Sequence, residues 1–413
     1  MTIPSLFIRN RSFLTVWGGE AISELGGSFG TVVNVWLVFQ LTGSQASLGG
    51  MWLIYFLPSL LVQLVAGPYL DRWNRRWVMI LSQWIRAVAF LVPLTMLLQG
   101  RTEIWPLYLV SLVNGLIQPL YVPASLAFLP SIVDKSQLPT ANAVLDGTMR
   151  LLLVIAPPLA GLLLASWGET GIMALICAAY LLSGLLLFFC QDDDRKRENP
   201  REGWTSQFLA GLTYFRRQRV LVWLGIFLSF VQLAVGASMV LNPAYVADEL
   251  NGNSVHYGLF MAGFPFGYFI GTLLIGLFPA LIGRRIVMLG SLFAGGLTFI
   301  ALAFFEQIVW AIATEIVAGI AAPFFHVYST SLTQRMVPNE LLGRVLSVRL
   351  LIIRTSMPLG LLLGSIGGEA WGVRPVYVLI GGIICITSLV GILLPAFSFL
   401  EQPKEKCEHY GRL

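Results

Sequence analysis

Glu20 and Glu24 lie four residues apart inside a long apolar run. On a helix that spacing puts both side chains on one face. Two carboxylates sharing an apolar site cannot both be ionised cheaply, so one of them is suited to taking up and releasing a proton. Glu315 is a third carboxyl of this kind. It stands about eight residues, roughly 12 Å, from the end of its apolar run at 1.5 Å per residue. Ionisable groups within a bilayer are functional candidates by default, because lipid makes them costly. The structural alternative is that Glu20 or Glu24 pairs with Arg86 and that Glu315 hydrogen-bonds a neighbouring helix.

The other charges in apolar surroundings are Asp146, Arg150, Arg349, Arg354 and His326. Asp146 and Arg150, again four apart, suit a local ion pair, with a gating role as the second reading. Arg354 is placed deep enough to face a cavity, and Arg349 near enough to a helix end to snorkel outward. His326 reads first as a hydrogen-bonding strut and second as a proton carrier. Asn34, Gln63, Asn114, Gln118, Tyr121, Gln232, Asn242 and Tyr328 are candidates for sparse polar anchors in a mostly apolar cavity wall. No phosphate-binding loop, dinucleotide fingerprint or H-E-x-x-H motif occurs, and the three histidines are scattered. The expectation is therefore no enzyme, no cofactor and no metal.

The elements that must position these groups follow from composition. The chain has 413 residues, 56% hydrophobic and 11% charged. Soluble domains carry roughly 25% charged residues. Most of this surface must therefore meet a lipid bilayer, and the net charge of +5 resides in loops and not in a nucleic-acid-binding patch. A spanning helix needs about 20 apolar residues. Twelve runs qualify: 13–41, 47–66, 77–98, 104–128, 142–166, 170–190, 220–246, 256–280, 285–305, 307–332, 343–366 and 373–397. Met1 to Arg11 has no cleavable signal pattern, so the first run is expected to be a retained helix. The four cysteines, Cys177, Cys190, Cys385 and Cys407, lack CxxC spacing and read as inert thiols.

With the amino terminus placed in the cytoplasm, nearly all loop Lys and Arg fall on that side, leaving only Arg101 and Arg374 in the outer loops. Both termini are thus expected inside. The segments are 1–190, a six-helix half; 191–219, a cytoplasmic linker; 220–398, a second six-helix half; and 399–413, a tail. Within the linker, Trp204, Phe208, Leu212 and Phe215 are spaced like one face of an amphipathic helix. Such a helix can tether the halves and lie along the membrane surface.

The halves resemble each other. Asn114-Gly115, Pro119 and Ser125 match Ala318-Gly319, Pro323 and Ser329, a shift from Gly115 to Gly319 of 204. Pro158-Leu159 and Gly168-Glu169 match Pro358-Leu359 and Gly368-Glu369 at a shift of 200, and Arg75-Arg76 matches Arg284-Arg285 at 209. Two parallel six-helix repeats predict an all-α integral membrane fold, with a substrate site between pseudo-symmetric bundles.

The loop Gly67-Pro68-Tyr69-Leu70-Asp71-Arg72-Trp73-Asn74-Arg75-Arg76 resembles the signature between helices two and three of the major facilitator superfamily. Pro123-Ala124 through Leu129-Pro130, Leu138-Pro139, Ala141-Asn142-Ala143, Val337-Pro338-Asn339-Glu340-Leu341 and Gly343-Arg344-Val345 are similar to the branch holding the bacterial enterobactin and macrolide exporters. The resemblance implies that Gly67, Asp71, Arg72, Arg75, Arg76, Arg284 and Arg285 form a conformational latch. Asn74 stands where the signature has Gly; Asn tolerates the left-handed conformation, which would keep the turn. Ile155-Ala156-Pro157-Pro158-Leu159-Ala160-Gly161 stands where exporters carry Gly-Pro with a further Gly.

The resulting expectation is a monomeric secondary transporter of the bacterial cytoplasmic membrane. It would exchange protons for a small apolar or amphipathic compound such as a drug, macrolide or siderophore. The rival readings are a lipid or lipid-linked-sugar flippase of the same fold, and a transport-inactive sensor or assembly partner.

Overall fold

The computed structural model describes residues 10–70, 73–190, 212–278, 285–394 and 397. Among these, eleven continuous helices are long and apolar enough to cross a membrane. The longest, Leu138–Phe188, is two helices end to end, because Gly168 breaks it with φ 69° and ψ 179°. Positive φ at this junction is open to glycine at little cost. The helices are α1 (Arg11–Thr42), α2 (Gln45–Leu70), α3 (Arg75–Leu98), α4 (Trp105–Ile132), α5 (138–167) and α6 (169–188). They continue as α7 (Arg219–Ala244), α8 (Ser254–Leu277), α9 (Arg285–Leu302), α10 (Ile308–Met336), α11 (Asn339–Trp371) and α12 (Val373–Leu393). A π-helical turn, Tyr245–Glu249, extends α7. The protein is an all-α integral membrane protein, with twelve segments among the described residues long and apolar enough to cross a bilayer.

Several helices outrun their apolar stretches. α5 begins at Leu138 and α11 at Asn339, each four residues before the run that marks it. Hydropathy delimits the part that meets lipid, whereas backbone hydrogen bonding continues into polar sequence until a terminator intervenes. Proline does not stop these helices either. Pro119, Pro123 and Pro130 lie inside α4, Pro323 inside α10 and Pro358 inside α11. Neighbouring helices compensate the lost backbone bonds in such settings.

The described residues pack as two compact units. The first takes in α1 to α6 with Met239–Ala262 and Leu361–Ala370; the second takes in the rest of α7 to α12. In the first unit, Val16, Met79, Ile80, Tyr121, Ala124, Phe128, Leu187 and Cys190 form a buried cluster joining α1, α3, α4 and α6. In the second, Phe215 is buried with Leu221, Val337, Val345 and Val348, and Tyr214 donates to the Met336 carbonyl at 3.1 Å. The end of the linker thus docks into α7, α10 and α11. Trp204 and Phe208 lie outside the described residues.

The repeat is visible within each unit. Gly115 of α4 lies against the Tyr55 carbonyl of α2, and Gly319 of α10 lies against the Phe264 carbonyl of α8. A Cβ at either position would overlap that oxygen. Tyr55 and Phe264 are 209 residues apart, the same shift that relates Arg76 to Arg285. Close backbone approach through small residues is how lipid-embedded helices gain dispersion energy, since lipid offers no hydrophobic drive between them.

Candidate functional site

In the first unit, α1, α3, α4 and α6 bring several polar side chains together in the membrane interior. α1 supplies Glu20, Ser23 and Glu24, the two carboxyls half-buried and Ser23 buried. Ser125 of α4 donates to Glu20 Oε1. Ser23 and the fully buried Gln83 of α3 hydrogen-bond each other at 2.9 and 3.1 Å. One turn along α3, Arg86 is buried with 4% exposure. Its Nη2 donates to Gln118 Oε1 at 2.6 Å. Its guanidinium lies 5.3 Å from the Tyr121 ring centre and 5.8 Å from that of Tyr180. Tyr180 in turn stacks on Phe90 at 5.7 Å.

Among the described residues, neither Glu20 nor Glu24 forms a contact ion pair with Arg86. The guanidinium is held by an amide oxygen and two aromatic faces, whose ring quadrupoles attract a cation. These contacts of Arg86 involve neither Glu20 nor Glu24. Sequence alone placed Arg86 only as a structural partner and did not single out Ser23, Gln83, Ser125 or Tyr180 for this group. Ser125 carried one usable signal: it belongs to the repeat pair Ser125/Ser329.

That pair does parallel work. In the second unit, Arg349 Nη2 donates to Ser329 Oγ at 2.8 Å and Nη1 to Thr333 Oγ1 at 3.2 Å. Repeat-related serines thus partner a carboxylate in one unit and a guanidinium in the other. Arg349 does not snorkel to a helix end as expected; it is buried, with 6% exposure, because hydroxyls on α10 satisfy its donors locally. Glu315 of α10 is half-buried, its Cβ against Gly263 of α8. Arg354 is half-buried on α11 and His326 exposed on α10. Asp146 and Arg150 make their i, i+4 pair at 2.7 Å on an exposed face of α5.

The polar anchors separate by surroundings. Asn34 is buried, its amide donating to the Leu107 carbonyl and Ser111 Oγ, both at 3.0 Å, which ties α1 to α4. Tyr328 is buried as well. Gln63, Asn114, Gln118, Gln232 and Asn242 are half-buried, and the Asn242 amide approaches Met261 Sδ at 3.9 Å.

Of the charged loop, Asp71, Arg72 and Arg284 lie outside the described residues, and Gly67 falls in the last turn of α2. Asn74 is not left-handed: at φ −69° and ψ 113° it is the N-cap of α3, its side chain accepting from Trp77 N–H at 3.1 Å. Capping, a standard use of Asn, meets the turn's needs without positive φ. Arg75 donates to the Ala127 carbonyl of α4 at 2.7 Å. Arg76 binds the Phe188 carbonyl at the end of α6 and lies 5.7 Å from that ring. Arg285 donates to the Ile392 and Leu394 carbonyls at the end of α12, at 3.2 and 3.4 Å.

Twelve apolar helices with an internal repeat and buried ionisable groups define a multi-pass membrane transporter of small molecules, not an enzyme. Residues 5–408 match the family described as transmembrane secretion effector, within the major facilitator superfamily, and the chain belongs to it. It is 24% identical over 388 residues to macrolide efflux protein A of Streptococcus pyogenes, covering 92% of this chain and 94% of that protein. It is 26% identical over 403 residues to the multidrug efflux pump Tap of Mycobacterium tuberculosis, covering 95% of each. The fold is similar to that of the nucleoside transporter NupG (TM-score 0.77, 16% identity, 95% of this chain and 100% of that one). It is also similar to a bacterial homologue of the iron transporter ferroportin in an inward-facing state (0.73, 17%, 94% and 99%).

Proposed function

We propose that the protein is a proton-coupled exporter of a small amphipathic compound, of the size and polarity of a macrolide or other drug. It would work as a monomer in the bacterial cytoplasmic membrane, with both termini in the cytoplasm. One observation carries the reading. Glu20 and Glu24 share a face of α1 beside a buried arginine that Gln118, Tyr121 and Tyr180 already hold. Carboxyls in a low-dielectric site bind either a proton or a substrate cation, and that competition links the two fluxes. Glu315 is the candidate coupling carboxyl of the second unit. Efflux activity in relatives that span nearly the whole chain favours export over uptake.

The test is uptake of a labelled macrolide into everted membrane vesicles with an imposed pH gradient. Accumulation should follow the gradient and stop when an ionophore collapses it, and Glu24→Gln should remove that dependence. Accumulation indifferent to the ionophore would reject proton coupling. No flux of any tested compound, with a stable protein partner recovered instead, would favour the assembly role.

A further inference from the structure

The first unit contains a contact between the end of α11 and the start of α2 that the transport site does not use. Ser44 precedes α2 and accepts from Ser47 N–H at 3.3 Å, which makes it the N-cap. Glu369, in the last turn of α11, brings its Oε1 to the same place. It accepts from Ser44 Oγ at 2.5 Å and from Ala46 N–H at 3.1 Å. One carboxylate oxygen from a helix 323 residues away thus completes the cap. The first N–H groups of a helix lack intrahelical partners and carry partial positive charge, so an anion is favoured there.

The neighbouring packing is close on the same two helices. Ser365, one turn before Glu369, places its Oγ where Gly49 of α2 has no side chain, and Gly368 lies against Gln45 and Leu241. The repeat-related helix start is built differently. Asn253 caps α8 from within its own loop, its Oδ1 accepting from Val255 and His256 N–H at 3.1 Å each. Ser254 donates to the Gly161 carbonyl at 3.1 Å, a neutral bond. Of the two repeat-related contacts, only the one between α2 and α11 carries a charge.

We propose that Glu369 is a conformational latch. Its carboxylate holds the Arg-poor end of α11 on α2, and breaking this cap is a step in opening that end of the protein. The proposal concerns closure alone and stands whatever compound or ion is carried. The geometry supports a state-specific role because the bond joins two helices far apart in sequence. A helix needing only a stable start would be served by its own Ser44, as α8 is served by Asn253.

The test replaces Cys177, Cys190, Cys385 and Cys407, then places spin labels at Leu41→Cys and Ala370→Cys, both exposed. Distances are read by pulsed electron paramagnetic resonance in lipid nanodiscs. Glu369→Ala should raise the ratio of long to short distances by about three- to tenfold, the effect of losing one solvent-accessible charge-assisted bond. Glu369→Gln should be intermediate, since its amide oxygen still accepts but bears no charge. Ser44→Ala should shift the ratio in the same direction, and the Glu369→Ala/Ser44→Ala pair should match Glu369→Ala alone. An unchanged distribution in Glu369→Ala would overturn the proposal. So would a double variant whose effect is the sum of the two single ones. Ser44→Ala, a small change at a helix cap, keeps the test decisive if the Glu369 variants are poorly folded.

Discussion

Arg76 and Arg285 make the same contact in their respective halves. Each stands at the start of the third helix of its repeat and reaches the terminal carbonyls of the sixth: Phe188 for Arg76, and Ile392 and Leu394 for Arg285. A helix C-terminus leaves carbonyls unpaired and carries partial negative charge, so a guanidinium there satisfies both needs. Whatever these arginines contribute to a latch between states, they fasten the third helix to the sixth within one half. Substitution of either by Ala should lower stability by about 1.5–3 kcal/mol, the worth of a charge-assisted bond. Thermal unfolding in detergent, followed by size-exclusion chromatography, measures this. Lys at position 285 should recover only part of the loss, because it cannot fork between the Ile392 and Leu394 carbonyls.

Gly115 and Gly319 should tolerate no larger side chain. Gly115→Val and Gly319→Val each force a side chain into a facing carbonyl, and overpacking of this kind costs about 1–3 kcal/mol or more. The expected result is a marked drop in correctly folded protein recovered from the membrane, similar for the two variants. A large difference between them would mean that the two repeats do not share this packing.

Arg349 offers a cleaner separation of folding from function. Its guanidinium is buried, and among the described residues it has no carboxylate partner within hydrogen-bonding distance. Replacing buried charge by an apolar side chain of similar size is often neutral or stabilising. Thr333 already donates to the Ser329 carbonyl and Ser329 to that of His326, so loss of the arginine orphans neither hydroxyl. Arg349→Met should keep or raise thermal stability. Loss of transport in a stable Arg349→Met protein would assign the charge to function.

Phe215 fixes the linker to the second unit. It is 4% exposed among Leu221, Val337, Val345 and Val348. Phe215→Ala should cost about 3–5 kcal/mol, the usual penalty for emptying a buried phenylalanine site. Limited proteolysis should then cut earlier between residues 191 and 219 than in the parent protein.

The carboxyls of α1 are expected to separate by role. Glu20 is already engaged by Ser125, whereas Glu24, one turn along α1, makes no contact ion pair with Arg86. Glu24→Gln should therefore reduce gradient-driven flux more than Glu20→Gln, with both proteins folded. Equal loss in the two would indicate that the pair titrates as a unit.

By itself, the sequence determined that the chain crosses a bilayer about a dozen times and that its halves are repeats. Lipid imposes long apolar runs, and a run of that length is legible without any contact. It also singled out Glu20, Glu24 and Glu315, because charge in an apolar run stands out whatever surrounds it. Tertiary structure alone decided what each polar group touches. Arg86 meets Tyr121 and Tyr180, Arg349 turns to Ser329, and Glu369 caps a helix 323 residues away, because hydrogen bonds depend on a few ångströms across helices. No periodicity along one helix encodes the face of its neighbour. Asn74 shows the same limit at short range: the sequence suggested a left-handed turn, and the backbone at φ −69° makes it the N-cap of α3 instead.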